Sequence, residues 1–395
     1  MSKNEIWLPA PGGELEFYIP RAVWSPPLPD LEPPDAPVRE IDAAVHVVVN
    51  PQYGGSETEL DADVIDWKTT AQIREHIWSS GLGVADGMDT AQRDILPQKI
   101  TDRLLRQTAE QANGRRWYFG AGTDAIHSDS PTNKEIARAY IRQIVQIQRL
   151  GGKVAVFPSL HLAGRSEADF METFTQLDAA AEGPLLAHWL GEMFNPAMKG
   201  YFPGASFYKI MELPNFESAK ISLLDAEREI EIRRRLAKIG KIVKTGDDFH
   251  YVELIEGTDE PIEAEGAYES DGVRYPLGDY SHALLGCMGA FETVAEQALN
   301  ALAQGNVQGY RRRLLPTAPL SYWLFQSPTA AYKHGVAAVA MLQGKQDNCQ
   351  LLPNNPSARP SLHIAHLFKL MDGAGLFSEE QARKAYRQHI QPLLR

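Results

Sequence analysis

From residue 43 onward, short β-rich runs alternate with amphipathic stretches of helical period, and this alternation constrains the fold more than any other feature of the sequence. It is typical of a parallel sheet whose strands are joined by crossover helices. The stretches 133–150 and 226–239 have the clearest helical period, and Asp225 is a candidate N-cap for the second. Because eight strands can close a barrel, the sequence predicts an α/β fold, a (β/α)8 TIM barrel. The predicted strands are 43–49, 81–85, 117–121, 153–157, 184–187, 219–223, 242–245 and 281–286.

Two segments flank the predicted barrel, which we place at residues 41–305. Residues 1–40 are rich in proline, which leaves little room for a helix, and are predicted to form an N-terminal arm. Residues 306–395 are predicted to form a C-terminal helical subdomain, broken near Pro353. The acidic segment 253–279 is too long for a plain connection between a strand and a helix. Two interpretations of it are open, a lid over the mouth of the barrel or a solvated excursion.

The composition of the chain argues against several classes of partner. The formal net charge is −12, whereas a nucleic-acid surface needs clustered lysine and arginine. The sequence has two cysteines, so neither a disulfide framework nor a Cys-x-x-Cys metal motif is expected, and a reducing compartment fits. No apolar run approaches the length of a membrane span, and the first residues do not resemble a signal segment. We therefore expect no membrane partner and a cytoplasmic location.

Lys220 lies inside the predicted sixth strand, and lysine is a poor residue for a strand interior. A buried ammonium is costly unless it is paired or its pKa falls, so this lysine either extends to solvent or acts as an amine. In a barrel of this type, chemistry lies at the carboxyl ends of the strands, where ionisable side chains converge on one mouth. The residues assigned to these ends are His46, Asn50, Asp86, Met88, Asp89, Thr90, Thr123, Asp124, His127, Ser159, His161, His188, Glu192, Lys220, Asp247, Asp248 and His282.

Several short motifs follow one another in a particular order. They are Gly-Leu-Gly-Val-Ala-Asp-Gly-Met-Asp-Thr-Ala from residue 81, Gly-Ala-Gly-Thr-Asp from 120, Ala-Lys-Ile-Ser-Leu-Leu-Asp from 219, Thr-Gly-Asp-Asp from 245 and Leu-Leu-Gly-Cys-Met-Gly from 284. Their order and spacing resemble the dihydrodipicolinate synthase and N-acetylneuraminate lyase superfamily. More closely, the chain resembles a divergent branch of it, the domain of unknown function DUF993. The resemblance runs from about residue 41 to about residue 344.

The resemblance implies a homo-oligomeric barrel with a class I mechanism, which uses neither a metal nor another cofactor. In that mechanism a lysine of the sixth strand, matched here by Lys220, condenses with a ketone to give a protonated imine. The iminium withdraws electrons, so that a C–C bond breaks or forms, or a β-hydroxyl leaves, through an enamine. Apolar neighbours would lower the pKa of the amine and keep it nucleophilic. The proton-relaying tyrosine of the family aligns with His188, and an imidazole can perform the same task.

Departures from the family pattern bear on the substrate. The family's Gly-Thr-Thr-Gly-Glu loop, which holds the carboxylate of a keto acid, is Gly-Met-Asp-Thr-Ala here at 87–91. Asp89 would repel a carboxylate but accept hydrogen bonds from hydroxyl groups. A Gly-Arg pair of the family is Gly-Glu here, which removes another cation. We therefore expect a lyase, an aldolase or dehydratase, acting on a keto sugar or a related polyhydroxylated carbonyl compound. The expected substrate contacts are Asp89, Thr90, Asp124, His161, Glu192 and Asp248.

Two other functions stay open at this point. The first is a divalent-metal-dependent sugar isomerase, epimerase or lyase on the same barrel, which a chelator would inactivate. Its candidate ligands are His46, Asp86, Asp124, His161, His188 and Glu192, although no tight motif such as His-Glu-x-x-His is present. The second is a barrel that binds a sugar without catalysis. Lys220 and the crowded strand ends argue against that interpretation.

Overall fold

The computed structural model describes residues 5–10, 12–25, 27–34, 36–264 and 266–394. Eight parallel strands close a barrel in the order β12-β3-β4-β5-β6-β7-β8-β9, which confirms the predicted (β/α)8 fold. Two antiparallel hairpins, β1–β2 and β10–β11, lie outside it. The strands are β1 (Ile6–Pro9), β2 (Leu15–Tyr18), β3 (Ile41–Ala44), β4 (Gly83–Asp86), β5 (Trp117–Ala121), β6 (Lys153–Val156), β7 (Leu185–Leu190), β8 (Phe216–Ser222), β9 (Ile242–Thr245), β10 (Ala267–Ser270), β11 (Val273–Pro276) and β12 (His282–Leu285).

Helices connect the barrel strands and continue after the last one. They are α1 (Trp67–Ser79), α2 (Gln98–Ala112), α3 (Asn133–Arg149), α4 (Glu167–Ala180), α5 (Ser206–Met211), α6 (Ala226–Ala237), α7 (Tyr251–Glu256), α8 (Glu292–Ala303), α9 (Val307–Leu314), α10 (Ala318–Phe325), α11 (Tyr332–Leu342), α12 (Ser361–Gly373) and α13 (Glu379–Ala385). Local chemistry sets several of their starts. The Asp225 side chain accepts a hydrogen bond from the backbone N–H of Arg228, so Asp225 caps α6 as predicted. Among the described residues, none of the helices combines the length and the apolar composition that a membrane span requires.

The first barrel strand begins earlier and ends earlier than the predicted range 43–49. The valines that follow β3 are buried, as the prediction requires, but after Val45, whose N–H still donates to the Ala85 carbonyl of β4, the backbone leaves the barrel sheet. The Val48 N–H donates to Thr70 Oγ1 at 3.0 Å, and the Val48 carbonyl accepts from Asp66 N–H at 2.8 Å. The fifth barrel strand ends later than the predicted range 184–187, because β7 continues to Leu190 and so includes His188.

The acidic segment between the seventh and eighth strands does not cover the mouth, so the lid interpretation is wrong. Its hairpin β10–β11 covers the opposite end of the barrel, where the strands begin. Tyr268 and Tyr275 pack around His282, the first residue of β12, with ring centroids 5.7 and 5.1 Å away. Ser270 accepts a hydrogen bond from Lys153, the first residue of β6. His282 therefore lies at this lower end and not at the mouth.

The C-terminal helices reach the mouth and also bind the N-terminal hairpin. The Tyr18 hydroxyl donates to Asp372 on α12 at 2.5 Å. On the other side, the Ser321 hydroxyl on α10 donates to the carbonyl of Asp248, just after β9, at 2.6 Å. The division of the chain at residues 40 and 305 stays a prediction about domain organisation. What the structure adds is that α10 and α11 contribute side chains at the carboxyl ends of the barrel strands.

Candidate active site

Two lysines share a register position on adjacent strands and point into the barrel. Lys220 on β8 is paired with Lys244 on β9 and with His188 on β7. Side chains in register on parallel neighbours lie on the same face of the sheet, so all three point inward. The ammonium of Lys244 donates to two buried carboxylates, those of Glu40 and Asp42. Within the described part of the chain Lys220 has no hydrogen bond or ion pair. Of these two inward lysines, Lys220 is therefore the one whose amine is available for reaction.

Burial gives Lys220 the properties of a nucleophile. Its exposed fraction is 8%, and burial lowers the pKa of its amine to about 8, against the opposing charges of Asp248 and Asp89. At pH 7.5 an amine with this pKa is neutral in about one quarter of the molecules, compared with about one in a thousand for an ordinary lysine. Only the neutral amine attacks a carbonyl carbon, so the barrel keeps a useful fraction of Lys220 reactive near neutral pH.

Gly246, the first residue after β9, makes room for the Lys220 side chain. Its N–H donates to the carbonyl of Ile221 at 2.6 Å, which brings the two strand ends close together. A Cβ atom on Gly246 would lie 2.2 Å from Ser222 Oγ and 2.8 Å from Lys220 Cε. Glycine is required at this position because of the close approach of these atoms, and any larger residue would displace the amine.

His188 lies beside Lys220 with one ring nitrogen bound and the other unpartnered. Its Nε2 is 3.2 Å from Ser222 Oγ, and the edge of its ring packs near Phe157 at a centroid distance of 5.5 Å. Its Nδ1 is buried and has no hydrogen-bond partner among the described residues. Burial, followed by the charge of Lys220, holds the pKa of His188 well below its usual value. The imidazole is therefore neutral near pH 7.

Asp248, after β9, is a second titratable group close to Lys220. It is buried, and its carboxylate accepts a hydrogen bond from the backbone N–H of Cys287 at 2.9 Å. Burial raises the pKa of Asp248 to about 7, an effect that the Cys287 N–H and Lys220 reduce. The carboxyl therefore exchanges its proton near neutral pH, as a general acid or base does. Burial also raises the pKa of the Cys287 thiol, which stays protonated.

Asp89 and Thr90 lie in a 3₁₀ turn after β4 and contact α11. The Lys333 ammonium is 2.9 Å from Asp89 Oδ1, and the Tyr332 hydroxyl donates to Asp89 Oδ2 at 3.0 Å. The same tyrosine hydroxyl is 2.9 Å from Thr90 Oγ1. Since Asp89 acts electrostatically on Lys220, this group belongs to the same mouth. The sequence predicted Asp89 and Thr90 here, but not the partners that α11 supplies.

Asp124 is at the mouth but is held by an arginine. Arg93 Nη2 is 2.5 Å from Asp124 Oδ2 and Nε is 3.1 Å from the same oxygen, while Arg93 also donates to the carbonyls of Gly87 and Gly120. Burial acts to raise the pKa of Asp124, but the charge and hydrogen bonds of Arg93 outweigh burial and lower it. The arrangement joins the turns after β4 and β5. Asp124 therefore has a structural partner, and its contact with a substrate stays a prediction.

His161 and Glu192 are placed away from the buried group around Lys220. The side chain of Glu192 is 53% exposed and lies 3.9 Å from Lys199. His161 is half-buried, and its backbone N–H donates to Ser159 Oγ at 3.1 Å. The structure does not bring either side chain into contact with His188, Asp248 or Asp89.

The six candidate metal ligands are dispersed. The buried carboxylate of Asp86 faces the helices, where it pairs with Arg74 at 2.9 Å. His46 Nε2 is 2.7 Å from Gln346 Oε1, and the other four candidates are placed as described above. Across the ranges that the structure describes, no three His, Cys, Asp or Glu side chains come together in a way that would hold a metal ion. The metal set proposed from the sequence is therefore not assembled by the fold.

Sequence reasoning missed Ser222, Gly246 and Tyr332 as parts of this site, and it could not decide whether the segment around Lys333 reaches the mouth. For Ser222 a signal existed, because it is two residues after Lys220 on the same strand and so points to the same side. Gly246 lies within the Thr-Gly-Asp-Asp motif, but its tight contacts depend on the neighbouring strand. No local pattern connects Tyr332 and Lys333 to the mouth, because helix packing brings them there.

Solved structures with the same fold come from the dihydrodipicolinate synthase family. One is YagE, a prophage protein of E. coli K12 in complex with pyruvate, with 16% identity, a TM-score of 0.64 and coverage of 86% of this chain and 99% of that one. Another is the dihydrodipicolinate synthase of Acinetobacter baumannii complexed with pyruvate, with 17% identity, a TM-score of 0.61 and coverage of 86% and 100%. The Aquifex aeolicus dihydrodipicolinate synthase has 13% identity, a TM-score of 0.62 and coverage of 86% and 98%. At these identities the likeness shows the fold.

A family model covers nearly the whole chain. It is described as a protein of unknown function (DUF993), and it matches residues 6–392. No curated protein matches the chain. The match extends beyond the barrel to the N-terminal hairpin and to α13, so these flanking elements are part of the family pattern. The resemblance inferred from the motifs is thereby confirmed, and the chain belongs to the DUF993 family, with the barrel fold of dihydrodipicolinate synthases.

Proposed function

We propose that the protein is a Schiff-base-forming lyase of the class I aldolase type, an aldolase or dehydratase that acts through an imine at Lys220. The observation that carries the proposal is the contrast between the two inward lysines. Lys244 is neutralised by two carboxylates, whereas Lys220 is buried with an unpaired amine whose pKa falls to about 8. The pyruvate bound to two proteins of the same fold agrees with a carbonyl substrate at this mouth.

In the proposed mechanism, the neutral Lys220 amine attacks the carbonyl carbon of the substrate and forms a carbinolamine. Asp248, with a pKa of about 7, donates a proton to the departing hydroxyl, so that water leaves and a protonated imine remains. The iminium then accepts the electron pair of either the bond between the α and β carbons, whose cleavage turns the β-hydroxyl into a carbonyl, or the α C–H bond, and an enamine results. His188, neutral and with Nδ1 unpartnered, takes the proton that this step releases. The enamine is then protonated at carbon, or expels the β-hydroxyl as water after protonation, and hydrolysis of the resulting imine restores the amine.

We propose a keto sugar or a related polyhydroxylated carbonyl compound as the substrate. The electrostatic character of the mouth supports this choice. Lys333 is already paired with Asp89, and Arg93 with Asp124, so neither cation is free of a carboxylate. A substrate carboxylate would therefore meet a neighbouring negative charge at either position, whereas hydroxyl groups would find donors and acceptors.

The proposal is tested with borohydride, which reduces an imine to a stable amine. The wild-type protein is incubated with ketoses and keto acids in the presence of borohydride, and the intact mass is measured. We expect an increase with at least one ketose in the wild type and none in Lys220→Ala, whose circular dichroism should match that of the wild type. A chelator should leave labelling unchanged. Equal labelling of wild type and Lys220→Ala would refute the proposal.

A further inference from the structure

We propose that Lys333 and Asp89 together bind two adjacent hydroxyl groups of an uncharged ketone whose carbonyl condenses with Lys220. The inference rests on the proposed function, because it concerns the same substrate. It assigns a specificity-determining role to a lysine from α11, a helix that lies outside the repeating strand and helix pattern of the barrel.

The hydrogen-bonding capacity of Lys333 is only partly used. An ammonium has three donors, and that of Lys333 has one polar contact, Asp89 Oδ1 at 2.9 Å. Its nearest ring face, that of Tyr332, is 5.8 Å away. Lys333 is 6% exposed, and in the described part of the chain nothing else accepts from it. Two N–H groups of the ammonium are therefore left without a protein acceptor. Unsatisfied buried donors are costly, so we expect these two groups to bind a ligand that enters the mouth.

The carboxylate beside it offers acceptors to the same ligand. Asp89 Oδ1 forms an ion pair with Lys333 and Oδ2 accepts from the Tyr332 hydroxyl, which leaves acceptor capacity on each oxygen. One hydroxyl can accept from the ammonium while the next hydroxyl donates to the carboxylate. Such charge-assisted hydrogen bonds are stronger than those between neutral groups. A donor and an acceptor that are 2.9 Å apart fit a pair of adjacent hydroxyls better than an isolated one.

Charge selects against an anionic group at this position. A phosphate or carboxylate that reached Lys333 would lie within a few Å of Asp89, so repulsion would offset the attraction. An uncharged polyol has no such conflict. The Asp89 turn follows β4 at the carboxyl ends of the barrel strands, the end at which Asp248 follows β9, and Asp89 also acts electrostatically on the Lys220 amine. The ligand class is therefore an uncharged polyhydroxylated ketone.

The test compares two ketones of equal chain length, erythrulose, which carries adjacent hydroxyls, and butanone, which carries none. The ratio of their borohydride trapping rates at Lys220 is measured in the wild type and in Asp89→Asn/Lys333→Met. This double variant keeps the net charge of the mouth and nearly the size of both side chains. We expect the erythrulose-to-butanone ratio to fall by about tenfold to a hundredfold, which corresponds to the loss of hydrogen bonds to charged groups. Dividing the erythrulose rate by the butanone rate cancels any change in the reactivity of the Lys220 amine itself.

A matched control separates recognition from stability. Glu292→Gln/Lys345→Met removes another mostly buried lysine–carboxylate pair, outside the mouth, and should keep the wild-type ratio. A competition with the wild type alone gives a second measurement that no folding defect can affect. Erythritol should slow erythrulose trapping, whereas butane-1,4-diol, which lacks adjacent hydroxyls, should not.

Each result has one interpretation. An unchanged ratio in Asp89→Asn/Lys333→Met, or equal inhibition by the two alcohols, would overturn this inference and leave the imine at Lys220 standing. If neither ketone labels Lys220 in the wild type, the proposed function fails and this inference fails with it.

Discussion

Gly246→Ala is a small change next to the reactive amine, and the structure sets its expected effect. The added methyl group would lie 2.8 Å from Lys220 Cε, 2.2 Å from Ser222 Oγ and 2.9 Å from the Ile221 carbonyl oxygen. Ordinary contacts between carbon atoms are about 3.5–4.0 Å. The methyl group would therefore overlap Lys220 Cε by about 0.7 Å or more. The backbone cannot move away to relieve this overlap, because the Ile221 carbonyl accepts the Gly246 N–H at 2.6 Å and holds the two strand ends together.

The displacement should therefore fall on two side chains. Ser222 can rotate, but rotation changes its 3.2 Å contact with His188 Nε2. Lys220 must shift by most of the overlap, and a shift of about 1 Å at a reacting group costs up to about a hundredfold in rate. Overpacking of this kind lowers the free energy of unfolding by about 1–3 kcal/mol. Gly246→Ala is thus expected to remain folded and to lose most of its imine formation.

The assay is the rate of borohydride trapping of a ketose, with thermal unfolding followed in parallel. Gly289→Ala is the matched control, because a methyl group there would have its nearest neighbours at 3.8 Å, an ordinary contact. We expect it to react like the wild type. Wild-type trapping by Gly246→Ala, or an equal loss in Gly289→Ala, would refute the argument that Gly246 makes room for the Lys220 side chain.

Three further predictions follow from the buried charges. Trapping at Lys220 should have a bell-shaped pH–rate profile with its maximum at about pH 7.5, because the attack needs the neutral amine and the loss of water needs protonated Asp248. Asp248→Asn should lose the decline on the alkaline side, and a wild-type rate that levels off above about pH 8 would contradict this assignment. Burial raises the pKa of Glu229 to about 8 from an unfolded value of about 4.5. The contribution of Glu229 to the free energy of unfolding is therefore full below about pH 4.5, where the side chain is protonated in both states, and it is lost as the pH rises through about 8. In urea unfolding, the advantage of Glu229→Gln over the wild type should therefore grow by up to about 1.4 kcal/mol per pH unit between pH 5 and pH 8, and parallel curves would contradict the assignment. Lys244→Met leaves the buried Glu40 without its nearest cation, while Asp42 keeps Arg116, and it should lower the free energy of unfolding by about 3–5 kcal/mol. Lys220→Met removes an unpaired amine and should not lower it, so similar unfolding midpoints for the two variants would contradict the contrast between the lysines.

The barrel could be predicted from the sequence because its strands are buried on both faces and leave continuous apolar runs between helices of clear period. The strands β5 and β9 have the predicted bounds. Lys220 and His188 could be placed side by side for the same reason, since neighbouring parallel strands carry both. Asp86 shows the limit of this reasoning. Asp86 is the last residue of β4, but the side chain that faces the barrel interior is that of its neighbour Ala85. The Asp86 side chain points outward to Arg74 among the helices.

The parts that sequence reasoning could not decide depend on contacts between distant segments. Lys333 reaches Asp89 across 244 residues of chain only because α11 packs over the mouth, and helical periodicity gives the face of a helix but not its neighbour. The acidic segment 253–279 was open to two interpretations because its charge describes its surface alone. The packing of Tyr268 and Tyr275 against His282 decides the position of this segment at the lower end of the barrel.

The central claim is that the amine of Lys220 forms an imine with a ketone, and the identity of the labelled residue tests it most directly. The protein is incubated with ketoses and keto acids, reduced with borohydride and digested, and the peptide masses are measured. We predict that the peptide containing Lys220 gains the mass of the ketone less one oxygen atom, while the peptide containing Lys244 is unchanged. A label on any other lysine, or no label with any of these compounds, would contradict the account.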